Sequence, residues 1–454
     1  MKRGLVGAIV AVLLPVAVSG GAESPTEKRL RELEETLRHT QEEVQELRHQ
    51  LDQQKAIGQA TKKQVEQTAE ETKVATAEAK KAIELPDWLK RTTIFGDVRF
   101  RHEGSYHQPR QNGADVTARN RERVRARLGV MVAFSDELSA TIRGASGDPN
   151  NPVSTNETLT GDFTRKHFNL DWAFLTFTPG QSFGIRPGIA SFTAGKFPNP
   201  IFTVGQLVFD DDLAPEGASE TFALLSQPMG ALDQVKVHAL QWTFNEVSNN
   251  QDGWMFGGQV NPSMHFGTLL LDAGLGQYWW LNADQIAQAL NTNTSLINTN
   301  LLTTQTTGGK TTITGYQSAF NQTNATVAAT WPNVIGTQPL RASADYVYNW
   351  QAATDDAHGV MAGLTLGQTK TRGDWSVAGW WEHIGQEATI SSFTYSDFGN
   401  GGTNLQGPVA EINYQLLNPL TVTVRSLFTN YINRPSGTTN PTATRLQLDT
   451  QVKF

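Results

Sequence analysis

Between residues 92 and 454 apolar and polar side chains alternate in short segments separated by Gly, Pro, Asn and Asp. A period of two marks β-strands with one dry face and one wet face. The last segment shows it best: Leu446, Leu448, Thr450, Val452 and Phe454 share one face, while Arg445, Gln447, Asp449, Gln451 and Lys453 share the other. Sixteen such segments can be marked, near residues 92–104, 119–134, 138–146, 167–178, 185–196, 217–225, 235–247, 253–261, 268–280, 323–330, 339–349, 358–367, 373–384, 404–416, 420–431 and 444–454. The sixth and tenth are the least regular.

The links between them alternate in length. Long or irregular links follow the odd strands, at 105–118, 147–166, 197–216, 281–322, 385–403 and 432–443. Tight ones follow the even strands, among them Ser135-Asp136-Glu137, Pro179-Gly180-Gln181 and Leu417-Asn418-Pro419. That is the pattern of an antiparallel transmembrane β-barrel whose long loops face outward and whose short turns face the periplasm. A soluble β-sandwich would alternate too, but bulky residues such as Phe168, Leu170, Trp172 and Phe174 recur along the faces expected to point outward. Aromatic groups such as Tyr278-Trp279-Trp280, and Tyr346, Tyr348 and Trp350, fall near strand ends, where interfacial girdles lie.

Composition agrees with a wet-lumen barrel, which needs only half its strand residues to be apolar: 40 Gly and 21 Phe accompany only 38% hydrophobic residues. Past the first residues no run of some 18 apolar positions exists, so membrane crossing by helices is excluded. The absence of cysteine excludes disulfides, thiolate metal sites and a lipid anchor on cysteine. A net charge of −7 gives no reason to expect nucleic acid as a partner.

Ahead of the barrel lie two further segments. Lys2 and Arg3 precede an apolar run from Leu5 to Val18 and the small residues Gly20, Gly21 and Ala22. These read as a signal peptide over residues 1–22, cleaved after Ala22 and directing export. Residues 23–85 are rich in Glu, Gln, Lys and Ala, and Leu30, Leu37, Val44, Leu51 and Val65 recur every seven residues, with Leu33 and Leu47 three residues after members of that series. This is the a/d seam of a periplasmic α-helical coiled coil. Polar Thr61, Thr68 and Thr72 and the break at Gly58 predict a looser second half. So polar a helix asks for partners, most simply the same segment of other subunits. The barrel then occupies residues 86–454.

Inside the barrel, arginine is concentrated on the first two strands. Arg99 and Arg101 share one face, and Arg119, Arg121, Arg123, Arg125 and Arg127 share another. An outward arginine at the bilayer midplane costs roughly 2–4 kcal/mol, so both sets are expected to point into the lumen as a pore-lining basic face. Val98, Phe100, Val124, Ala126 and Leu128 then take the lipid side. No H-E-x-x-H or G-x-S-x-G motif is present, no catalytic or metal-ligating set emerges, and no cofactor is expected.

The run from Leu85 through Ile94, Gly96, Asp97, Arg99 and Arg101, the arginine-rich second strand, Asp171 to Phe177, and Ala194-Gly195-Lys196-Phe197-Pro198-Asn199-Pro200 resemble the putative porin family of Gram-negative bacteria. The resemblance spans essentially the whole mature chain. It implies an outer-membrane pore for passive diffusion of small hydrophilic solutes and ions, assembled as a homotrimer of barrels embedded in outer-membrane lipid. By resemblance to general porins, the third outer loop would fold inward and narrow the pore. Asp210, Asp211, Asp212 and Glu216 of that loop would then face the arginine wall as constriction acids and set a transverse field. The end of the last strand at Phe454 resembles the pattern that the barrel-assembly machinery engages. A different role remains open, in which the barrel is an anchor and the coiled coil tethers the envelope by contacting the cell wall.

Overall fold

The computed structural model describes residues 25–82, 87–109, 115–116, 118–225 and 227–454; the proposed signal peptide lies outside the described residues. The chain divides into two units, residues 1–85 and 86–454.

In the first unit, α1 (Pro25–Ala82) is a single unbroken helix of 58 residues. Proline suits the first turn, where its missing N–H would have no partner. Gly58 costs the helix about 1 kcal/mol and does not interrupt it, which differs from the looser second half expected from the sequence. The threonines of that half explain part of the difference: Thr61 and Thr68 donate their hydroxyls to the carbonyls of Ile57 and Gln64 at 2.9 and 2.8 Å, so they add no unanswered donor. Leu30, Leu33, Leu37, Leu47, Leu51 and Val65 are all exposed along the helix. α1 alone is therefore a helix with an uncovered seam.

The second unit is a closed sheet of sixteen antiparallel strands. They are β1 (Thr92–Tyr106), β2 (Arg119–Ala133), β3 (Leu138–Ser146), β4 (Phe168–Phe177), β5 (Ala190–Lys196), β6 (Glu216–Ala223), β7 (Leu232–Asn245) and β8 (Gly253–Phe266). After them come β9 (Leu269–Leu281), β10 (Asn321–Ile335), β11 (Gln338–Asn349), β12 (His358–Gly367), β13 (Trp375–Ile384), β14 (Leu405–Leu417), β15 (Leu420–Tyr431) and β16 (Ala443–Lys453). Each pairs with its sequence neighbours, and β1 also pairs with β16, so the barrel has no free edge. At this seam the Gly96 N–H donates to the Phe454 carbonyl at 2.9 Å, and the Phe454 N–H returns the bond to Gly96 at 3.1 Å.

Every strand marked in the sequence is present, including the sixth and tenth. β5 starts later than expected, because Gly184 at φ 66° closes a short 3-10 turn before it. The connection between β9 and β10 is structured, carrying the short helix Asp284–Ala289 and a hairpin of Leu302–Thr307 and Lys310–Tyr316. No described helix is long and apolar enough to cross a membrane.

The faces of the wall follow the period of two. Val98, Phe100, Leu128, Leu446 and Leu448 are exposed apolar residues on the outside, whereas Arg101, Arg125, Arg445, Gln447 and Asp449 point inward and are buried. Two expectations need correction. A register shift between Arg143 and Gly144 in the β3–β4 ladder places a bulge at Asp171 and Trp172. Phe168 and Leu170 stay exposed outside, but past the bulge Trp172 and Phe174 turn inward, Trp172 under the Arg143 guanidinium and Phe174 against Phe197. Likewise Tyr278 and Trp280 flank the outward Trp279 and are buried inside, so only the middle residue of that triplet can join a girdle.

Candidate functional site: the charged lumen

β1 and β2 pair so that Arg99 stands opposite Arg125 and Arg101 opposite Arg123. Like charges directly across a ladder repel unless acids intervene. They do intervene, from positions on the same inward faces. Asp97 bridges two arginines, accepting from Arg125 Nε at 2.9 Å and Arg127 Nε at 2.6 Å. Glu103 accepts from Arg121 Nε at 2.7 Å and lies 3.5 Å from Arg123. From β16, Asp449 takes Nε and Nη2 of Arg101 at 2.7 and 2.8 Å, a two-pronged grip that suits the planar guanidinium.

The six residues expected to form the basic face, Arg99, Arg101, Arg121, Arg123, Arg125 and Arg127, thus all project from the inner wall, but as members of an ion-pair network. Arg101 is only 1% exposed. Taking such charges out of water costs several kcal/mol each, and only a full set of partners offsets that cost. Asp97 and Glu103 were missed as partners, although their spacing of two from Arg99 and Arg101 places them on the same face. The partner from β16, Asp449, left no such local signal.

The third long connection, residues 197–215, is aimed by two glycines. Gly195 and Gly217 pair with each other across β5 and β6 and have φ of 126° and 130°. A Cβ at either would fall 2.2 Å from a carbonyl oxygen, of Ala173 or of Gln241, so only glycine fits this bend. Beyond it the loop meets two walls. Phe209 packs edge-on against Trp242 and Tyr278, with ring centroids 5.5 Å apart in both cases. Opposite, Asp212 accepts from Arg127 at 3.2 Å, lies 3.9 Å from Arg125, and takes the Thr155 hydroxyl at 3.0 Å.

The four acids of this segment therefore part company. Asp212 alone reaches the arginines; burial alone would raise its pKa, but Arg125 and Arg127 outweigh burial and hold it below the ordinary value. Asp210 is buried and accepts the N–H of Ser396 at 2.8 Å, and burial together with neighbouring Asp212 pushes its carboxyl well up. Asp211 is exposed and lines the cavity on the other side of the loop. Glu216 begins β6 and binds Lys196 at 2.9 Å, away from the arginine wall.

Residues 385–404, the connection between β13 and β14, have a role that sequence spacing does not signal. Most of this segment is buried, including Glu387, Ile390, Ser391, Asp397 and Phe398. It locks to the third connection through Asp210 N–H to the Phe393 carbonyl at 2.8 Å and Tyr395 N–H to the Gln206 carbonyl at 3.2 Å. It locks to the β9–β10 connection through Asn300, whose side-chain amide donates to the carbonyls of Gln386 and Thr389 at 2.7 and 2.9 Å. At its tip Asp397 receives Arg101 Nη1 at 2.6 Å, and Arg445 Nη1 donates to its carbonyl at 2.9 Å. Burial opposes the charge of Asp397, yet Arg101 and Arg445 hold its carboxyl well below the ordinary value.

On the far side of the third connection, a cavity of about 340 Å³ is lined by Asp211, Met361, Trp380, Glu382, Glu411 and Arg425 among others. Carboxylates outnumber guanidiniums there, and the reverse holds at the β1–β2 wall.

A family model described as "Putative porin" matches residues 106–336 and 281–454. Similar solved structures include OprB of Pseudomonas putida (12% identity, 81% of this chain and 96% of that chain, TM-score 0.48). OmpF of Salmonella typhi in complex with daunomycin (10%, 80% and 97%, TM-score 0.47) and the trimer form of OmpT of Vibrio cholerae (10%, 80% and 99%, TM-score 0.44) are similar at the same level. No curated protein matches the sequence.

Proposed function

The chain belongs to the putative porin family, an outer-membrane channel family of Gram-negative bacteria, and from that premise we propose how this member conducts. Small hydrophilic solutes and ions diffuse passively through the barrel and are screened where the third long connection narrows it. The reading rests on that connection's two-sided hold, Phe209 on the β7–β9 wall and Asp212 on Arg127 of β2. With the arginine wall on one side and Asp211 and Glu411 on the other, the field runs across the passage, aligning dipolar solutes and disfavouring apolar ones. The long connections lie outside the cell and the short turns in the periplasm.

Removing residues 203–211 by a short glycine linker tests the constriction. Single-channel conductance should rise; an unchanged conductance in folded protein would refute it.

In this account residues 1–22 are removed on export, residues 23–85 lie in the periplasm and residues 86–454 form the barrel, which assembles as a trimer. The exposed heptad face of α1 supports three helices winding together. The length of α1 supports a second reading, a tether: at about 1.5 Å per residue it reaches on the order of 85 Å, far enough to contact the cell wall. Deleting residues 26–80 separates the two, since a porin keeps its conductance and a tether mutant sheds outer membrane.

A further inference from the structure

A cavity of about 260 Å³ lies on the arginine side of the residue 385–404 segment, lined by Arg119, Arg121, Arg123 and Arg445, with Ser154 and Asn400 among its neutral groups. The one acid in its lining, Asp397, is already engaged by Arg101 at 2.6 Å and lies 3.6 Å from Arg445. Glu103, buried at the foot of the arginines, answers Arg121 at 2.7 Å and Arg123 at 3.5 Å. The positive charge is not fully answered. Arg119 is exposed and has no ion-pair or hydrogen-bond partner among the described residues, and the Nε atoms of Arg123 and Arg445 are buried without one. The rim residues Arg119 and Asn400 are both exposed, so the cavity is reached from solvent.

We propose that this cavity is a binding site for a small oxyanion, a carboxylate or phosphate group, that loads anionic solutes before they reach the constriction. Three features carry it. The guanidiniums present several N–H donors in a fixed fork, the geometry suited to a carboxylate or phosphate. The volume admits a small organic acid or phosphate with some water, at about 30 Å³ per water molecule. And the site sits inside a protein wall, where charge is screened less than at a free surface. The site rests on the pore reading for its purpose, but not for its existence.

Calorimetric titration of the purified detergent-solubilised protein in low salt, with inorganic phosphate and separately with glutarate, tests it directly. Saturable binding of at least one anion is expected; which of the two binds identifies the group recognised. Arg119→Gln should weaken that binding about tenfold, the loss of one charge-assisted hydrogen bond, and Arg119→Glu should abolish it. Because Arg119 is exposed, both variants should fold, checked by heat-modifiable electrophoretic mobility. Absence of saturable binding with both anions, or binding unchanged in both folded variants, would overturn the site. Bilayer conductance is recorded in parallel: a conducting protein without binding defeats only the anion site, and a binding protein without conductance defeats only the pore.

Discussion

At the scale of single residues, Asp397 is the contact on which the inner network turns, because it brings a loop carboxylate to the 1%-exposed Arg101. Asp397→Asn leaves Arg101 with Asp449 but without its second strong partner. Breaking a buried pair in this way costs about 3 kcal/mol, measurable as a shift in urea-induced unfolding followed by tryptophan fluorescence. The same carboxyl predicts a pH dependence. Its folded pKa lies well below the unfolded value of about 3.9, so its stabilising contribution is complete above that value and is lost as pH falls through the folded pKa. The Asp397→Asn variant should therefore lose less stability than the parent between about pH 4 and pH 2. A second residue-scale prediction concerns Gly195, at φ 126° with no room for a Cβ. Gly195→Ala should destabilise the barrel by about 1–3 kcal/mol in the same assay, whereas Gly188→Ala, with open space around it but also positive φ, should cost about 1 kcal/mol. Sequence spacing put the arginines on one face because a strand's period is two. It did not reveal Asp397, since pairing between a loop and a strand almost three hundred residues away leaves no local pattern.

Among the elements, the strands were readable and the loops were not. Alternation survives in each of β1–β16 because one face meets lipid and the other meets water or charge. It misled only where a bulge inserted a residue, as at Asp171 and Trp172. The residue 385–404 segment is buried by contacts to two other connections, with polar side chains satisfied by backbone partners, so it looks in sequence like any exposed loop. Replacing residues 391–402 with a short glycine linker should open the arginine wall and shift the reversal potential in a salt gradient towards anion selectivity; an unchanged potential in folded protein would show that this segment does not shield the arginines. In α1 the helix was legible, while its continuity through Gly58 was not, because a single glycine lowers helix stability without forbidding the helix.

For the whole molecule, closure of β1 onto β16 fixes a barrel with an arginine-rich wall on one side of the lumen and a carboxylate-rich cavity on the other, and three long connections interlock between them. The barrel was legible because membrane crossing by strands imposes alternation from residue 92 to residue 454. The contacts among these connections were not legible, since pairing between distant loops leaves no local pattern. Whether three such barrels act together is a property of the assembly, set in this account by the exposed face of α1 and by contacts between barrels. Deleting residues 26–80 should leave the conductance of each pore unchanged and weaken trimer association. The most direct test of the account is single-channel recording of the purified full-length protein in planar bilayers: insertion events should appear as open channels whose closures come in three equal steps. Purified, folded protein that inserts without conducting would contradict it.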